Sequence, residues 1–152
     1  MIKESESNSV LMDEFEAMKK AFYDDEIGYE DIPHCFYDNE FVPYIVKQLN
    51  ENNEAELKKI FTFIEKLFSD GDEDVINIAA VSIVESLYYE EEYEGKYKEK
   101  IYSLCGDLTR KTFDDMDADD DAPDTDVKAL TKRHARRCLC LHPRSFDIFY
   151  FL

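Results

Sequence analysis

Residues 72–89 read DEDVINIAAVSIVESLYY. Apolar side chains recur at Val75, Ile76, Ala79, Ala80, Ile83, Val84, Leu87 and Tyr88, the i, i+1, i+4, i+5 rhythm of a helix face, and Ile78 and Val81 widen the stripe. A helix this apolar buries itself on more than one side, so the stretch is predicted as the central core helix. The preceding segment places Leu57, Ile60, Phe61, Ile64, Leu67 and Phe68 at helical spacing over 54–69. Between the two, Gly71 is expected in the left-handed position that ends a helix, and Asp72 as the cap that starts the next. The pair is an αα-hairpin (54–69, 72–89). The predicted fold class is therefore all-α, a compact multi-helix bundle built on that central hairpin.

Towards the N-terminus the signals weaken. Residues 1–8 are polar and expected to fray. Val10, Leu11, Phe15, Met18 and Phe22 predict one helix from Ser9 to the Asp24–Gly28 region. Pro33 disfavours helix just before it, so 29–37, with His34 and Cys35, reads as a loop or short turn packed under Phe36. Asp38 or Asn39 is predicted to cap a second helix to about Asn50, with Pro43 in its first turn, where a missing N–H costs least.

Towards the C-terminus, YEEEYE (89–94) forms an acidic, tyrosine-rich junction. After Gly95 one helix is expected to carry Tyr97, Ile101, Leu104, Cys105, Leu108 and Phe113. Composition then changes. Residues 114–126 hold eight Asp in thirteen positions, a self-repelling run, while 127–144 hold six Lys or Arg and no acid. The predicted organisation is a helical domain over 1–116, an acidic linker over 117–126, and a basic then apolar tail over 127–152, helical at least in part.

The charge is −18, eighteen basic against thirty-six acidic residues. Set aside the +6 of the tail and the remainder carries −24. A field of that sign repels nucleic-acid phosphate and anionic lipid and attracts a basic protein. Simple solubility is the plainer explanation of the same number. MIKESESNSV lacks an apolar h-region and no run is long enough for a membrane span, which predicts a cytoplasmic protein whose four cysteines are free thiols.

The residues offer four candidate chemistries. His134, Cys138, Cys140 and His142 put four candidate zinc ligands in nine residues, yet H-x3-C-x-C-x-H lacks two separated ligand pairs. Asp115, Asp117 and Asp119 mimic the start of a calcium loop, but Asp120 stands where that turn needs Gly and Asp126 where it needs Glu. No phosphate loop, nucleophile elbow or HExxH pattern occurs, and Glu65 and Glu85 read as solvated flanks of apolar helices. The fourth is a binding surface. Asp70, Asp72, Glu73 and Asp74 cluster at one end of helix 72–89, and Tyr89, Glu90, Glu91, Glu92 and Tyr93 at the other, carboxylates to steer a cationic partner and Tyr rings to supply contact area.

The block from Phe41 to Met116 resembles a small helical bacterial family through Ile64, Glu65, Leu67, Phe68, Gly71, Asp74, Val75, Asn77, Glu85 and Leu87. These positions match a helix ending in iE-l-l-G, then D--V-N-- opening an apolar helix that closes in -E-L. Such proteins are similar to immunity proteins of polymorphic-toxin and contact-dependent inhibition systems. The resemblance implies an all-α domain that binds and blocks a cognate toxin, often a nuclease; the 117–152 tail departs from the pattern. The expected function is a non-catalytic acidic protein, with no cofactor, that neutralises a basic protein partner. A metal-responsive sensor using the Asp run or the His/Cys tail is the alternative from another class, and a structural adaptor a third.

Overall fold

The computed structural model describes residues 1–120 apart from Asp25, Ile27 and Glu91. Most of the predicted linker, the 127–152 tail and the candidates His134, Cys138, Cys140 and His142 lie outside the described residues. The described chain is all-α. Its helices are α1 (Glu4–Glu14), α2 (Glu16–Asp24), α3 (33–51), α4 (Glu54–Asp70), α5 (73–88), α6 (93–104) and α7 (Asp107–Asp120). Helices α3, α5 and α6 run continuously through π-helical turns at Tyr37–Phe41, Ile78–Glu85 and Tyr93–Tyr97.

The hairpin stands where the apolar periodicity puts it, with α5 packed against α1, α3, α4 and α7. Val75, Ile78, Ala79, Ile83 and Val84 are all fully buried. Asn53 caps α4 by accepting from the Glu56 N–H, and Asp72 caps α5 by accepting from Val75. The inward face is rotated from the expected one: Ile76 is 37% exposed, whereas Ser82 and Glu85 are buried. Two features rotate it. The helix is enclosed on several sides, and π winding from Ile78 takes more residues per turn than an α-helix. Glu85 is thus no solvated flank.

Gly71 ends α4 without a left-handed residue, at φ −75° and ψ 154°. What demands glycine is space: a Cβ would lie 2.4 Å from the Leu67 carbonyl oxygen and 2.6 Å from Val75 Cγ1. Close packing also involves the N-terminus, which is not frayed. The Ile2 N–H donates to Asp70 O (2.6 Å) and Asp72 N–H to Ile2 O (2.8 Å), a single parallel bridge that holds the chain start against the hairpin turn.

Four other expectations are corrected. The helix predicted from Ser9 begins at Glu4 and breaks at Phe15, whose extended backbone (φ −126°, ψ 106°) lets its ring enter a cluster with Phe41, Tyr44 and Phe63. The 29–37 loop is shorter, because Pro33 occupies the first turn of α3 rather than preventing it, and His34 Nδ1 lies 2.6 Å from Ser82 Oγ on α5. Pro43 is consequently inside a long helix, where its missing N–H falls just after the π turn. The predicted helix beyond Gly95 is two helices, α6 and α7, parted by extended Cys105. Cys105 is a buried free thiol whose pKa burial pushes up to about 12.

Candidate functional site

The two clusters singled out in the sequence do sit at opposite ends of α5, separated by roughly 20 Å of helix. They are built differently. At the turn end, Asp70 closes α4, Asp72 caps α5, and Glu73 and Asp74 occupy the first turn of α5. The bridge through Ile2 brings the start of α1 alongside, so the Glu4 N–H also donates to Asp72 Oδ2 at 3.4 Å. Glu4 and Glu6 lie in the first turn of α1. Two helix N-termini with acidic first turns therefore meet at one surface. Their partial positive charge makes carboxylates tolerable there, by about 0.3–1 kcal/mol each.

Exposure separates structural from available groups at this end. Asp72 is committed to two backbone N–H groups. Glu4, Asp70, Glu73 and Asp74 are exposed, and Asp70 accepts from the Ser69 hydroxyl (3.0 Å). Among the described residues the ion pairs fall elsewhere, on Glu14, Glu51, Glu54, Glu92, Glu94, Asp115 and Asp117. Residues 1–120 carry twelve Lys or Arg against thirty-two Asp or Glu. Among the described residues no lysine forms an ion pair at the turn end.

The far end is a hydrogen-bonded knot. Tyr93, expected at an interface, is 1% exposed, its ring stacked on Phe113 of α7 (5.6 Å) and tilted on Tyr88 (5.1 Å). The spacing Tyr93, Tyr97, Ile101, Cys105 at i, i+4, i+8, i+12 is the sequence signal that marks this inward face. Glu92 accepts from Tyr97 Oη (2.5 Å) and Lys96 Nζ (3.1 Å), and both donors also reach Asn50 Oδ1. Those bonds hold the Glu92 carboxyl below its usual range, led by the Tyr97 hydroxyl. Tyr89 is 38% exposed and Glu90 is exposed; Glu91 lies outside the described residues.

Sequence reasoning missed the hub of this end, Asp117. It accepts from Tyr88 (3.2 Å), Lys98 (3.1 Å) and Tyr102 (3.1 Å), while Tyr102 also donates to Asp114. Burial works against its ionisation, but the Lys98 and Tyr102 bonds outweigh it and keep the carboxyl below the ordinary aspartate value. The run expected to repel itself into a linker from Asp114 is helix through Asp120, because donors on α5 and α6 reach its carboxylates and Lys111 pairs with Asp115. A helical backbone at Asp115–Asp119 also rules out the calcium-loop geometry considered there. No group of three or more His, Cys, Asp or Glu among the described residues is placed to hold a metal ion.

Glu65, expected to be solvated, latches α7. Its carboxylate accepts from Leu108 N (2.9 Å), Thr109 N (3.0 Å) and Thr109 Oγ1 (2.7 Å), a cap supplied by a different helix. Burial opposes its ionisation and these three bonds more than offset that, so its pKa is lowered. Gly106 makes the approach possible, since a Cβ there would lie 2.3 Å from Glu65 Cδ.

The profile of a family described as Domain of unknown function (DUF7674) matches residues 9–119, and the chain belongs to that family. The matched span takes in both ends of α5 and the Glu65 latch. No curated protein and no solved structure matches. Among the described residues no helix is long and apolar enough to cross a membrane.

Proposed function

We propose that this chain is a non-catalytic acidic docking protein that takes up the basic surface of a protein partner at the turn end of its hairpin. The observation that carries the reading is the set Glu4, Asp70, Glu73 and Asp74: exposed carboxylates gathered where the α4–α5 turn meets the start of α1, with no lysine partner among the described residues, in a body of −20 over residues 1–120. Such a patch accelerates encounter with a cationic surface and selects against nucleic acid. The resemblance of 41–116 to immunity proteins supplies the partner class: a cytoplasmic toxin domain with a basic active site, neutralised by occlusion alone. Of the sequence-nominated residues, Asp70, Glu73 and Asp74 do the docking in this reading. Tyr93 and Asp72 hold the scaffold that presents them.

The test is capture from the source cell's lysate on the immobilised full chain, in parallel with Glu73→Lys/Asp74→Lys, eluted across a salt gradient. The expected result is one stoichiometric basic protein, retained by the native chain and lost by the variant at about 0.15 M salt, where screening sets in over roughly 8 Å. Equal retention on both, or only a diffuse set of basic proteins, ends the docking assignment.

A further inference from the structure

The outer face of α4 carries the opposite charge from the body around it. Lys58, Lys59, Thr62, Phe63 and Lys66, with Glu14 from the end of α1, line an open depression of about 250 Å³. The sequence of α4 is not short of acid, but three of its four carboxylates are engaged elsewhere, and the fourth, Asp70, lies at the turn end, one helical turn beyond Lys66. Glu54 pairs with Lys100, Glu56 accepts from Tyr44 (2.6 Å), and Glu65 caps α7. Lys59 is tied to Glu14 by an ion pair of 3.7 Å and a bond to its carbonyl, and lies 4.7 Å over the Phe15 ring. Lys58 and Lys66 are exposed and make no ion pair among the described residues. Six of the eleven described lysines pair with carboxylates, and Lys58 and Lys66 are among the five that do not.

Size and spacing decide what such a face receives. At about 250 Å³ the depression falls below the roughly 300–1,000 Å³ of small-molecule sites, and suits one anchoring side chain. Its lining is mainly apolar, and Phe63 adds the small ring edge that its 3% exposure leaves. Lys58, Thr62 and Lys66 follow at i, i+4 and i+8, which sets the two free ammonium groups about 12 Å apart along the helix. Carboxylates two turns apart on a second helix have that same spacing. Glu14 is the one carboxylate that lines the depression, where it is paired with Lys59, and at 0.15 M salt carboxylates farther than about 8 Å are largely screened.

The geometry points to a second docking surface on α4 for an acidic amphipathic helix of a partner protein, with an apolar side chain seated on Phe63 between two carboxylates that meet Lys58 and Lys66. This is a helix-on-helix recognition mode distinct from the acidic turn end, and it does not depend on that reading.

The probe is a fluorescein-labelled, alanine-based helical peptide of about 17 residues with Leu at its centre and Glu four residues to either side, long enough for helicity in water. Its twin carries Gln for both Glu. Binding to the isotope-labelled full chain is followed by anisotropy and by backbone amide shifts at 0.15 M salt. Shifts centred on 58–66 are expected, with affinity reduced about tenfold or more by Lys58→Glu/Lys66→Glu and by the Gln twin. Both lysines are exposed, so that variant leaves the core intact. Glu73→Lys/Asp74→Lys should leave peptide binding unchanged, which separates this surface from the turn end. No shifts at 58–66 up to about 1 mM peptide, or equal binding by the Gln twin, overturns the assignment.

Discussion

The two ends of α5 hold similar densities of carboxylate and put them to opposite uses. At the turn end Glu73 and Asp74 extend into water with only helix N-termini behind them. At the far end Glu92, Glu94, Asp114 and Asp117 each accept from at least one Lys or Tyr. The difference lies in the donors. α6 presents Lys96, Tyr97, Lys98 and Tyr102 across the gap to α3 and α7, whereas the first turns of α1 and α5 offer mainly their own backbone. The far end is therefore a joint, and the turn end a source of field. A run of acid in a sequence does not say which it is.

The largest effect should come from cutting the joint. Asp117→Ala removes the acceptor of three donors and leaves Lys98 to Glu94 alone, an exposed pair of little worth. Since Asp117 is itself a third exposed (33%), a loss of about 2 kcal/mol in urea unfolding is expected. Glu73→Ala in the same assay should stay within about 0.5 kcal/mol. Equal losses would abolish the contrast between the ends.

Next in size is the Glu65 latch. Glu65→Gln weakens a charged cap to a neutral one and should cost about 1 kcal/mol at neutral pH. Because the folded-state pKa is lowered, the ionised latch stabilises fully above the ordinary glutamate value near 4.5 and is lost as the pH falls through the folded value below it. The native chain should consequently lose stability on acidification below about pH 4.5 more steeply than Glu65→Gln. Parallel acid-unfolding curves for the two proteins would show that the latch is not ionic. Asp117 titrates in the same direction, so the acid limb of the native curve should retain part of its slope in the Glu65 variant.

At the turn end only Asp72 is structural. Asp72→Ala deletes the α5 cap and its contact with the Glu4 N–H, for about 1 kcal/mol. Hydrogen exchange should rise at Ile2 and in the first turn of α5 and stay unchanged in α7. Faster exchange in α7 as well would mean that the ends are coupled through α5.

The hairpin was legible because its signals are local: an apolar rhythm, a cap residue, a two-residue turn. Gly71 marks the turn, but the left-handed backbone expected of it is absent, and glycine is needed there for the crowding against Leu67 and Val75. The site was legible in part. Glu73 and Asp74 emerge as exposed acid because no side chain among the described residues reaches them. Tyr93 was misread since composition, an aromatic amid acid, outweighed its i+4 and i+8 spacing to Tyr97 and Ile101; Tyr88 and, twenty residues on in α7, Phe113 close over it. The Glu65 cap and the Asp117 hub left no local trace at all. Each satisfies a donor more than a dozen residues away, and a periodicity argument sees nothing beyond its own window.

The smallest effect on stability should accompany the largest effect on binding. Glu73→Lys/Asp74→Lys places two cations against the N-terminus of α5, an unfavourable contact with the helix dipole of about 0.3–1 kcal/mol each. It also relieves repulsion with Glu4, Asp70 and Asp72 on the neighbouring segments, so the net change in unfolding free energy is expected within about 0.5 kcal/mol. Against a basic partner the same two substitutions change the sign of the local field. The association rate should fall about tenfold or more at low salt and converge on the native rate as salt is raised, with the dissociation rate much less affected. If instead dissociation accelerates and association does not change, the carboxylates act as buried contacts rather than as a steering field. The turn end would then resemble the far end more closely than its exposure suggests.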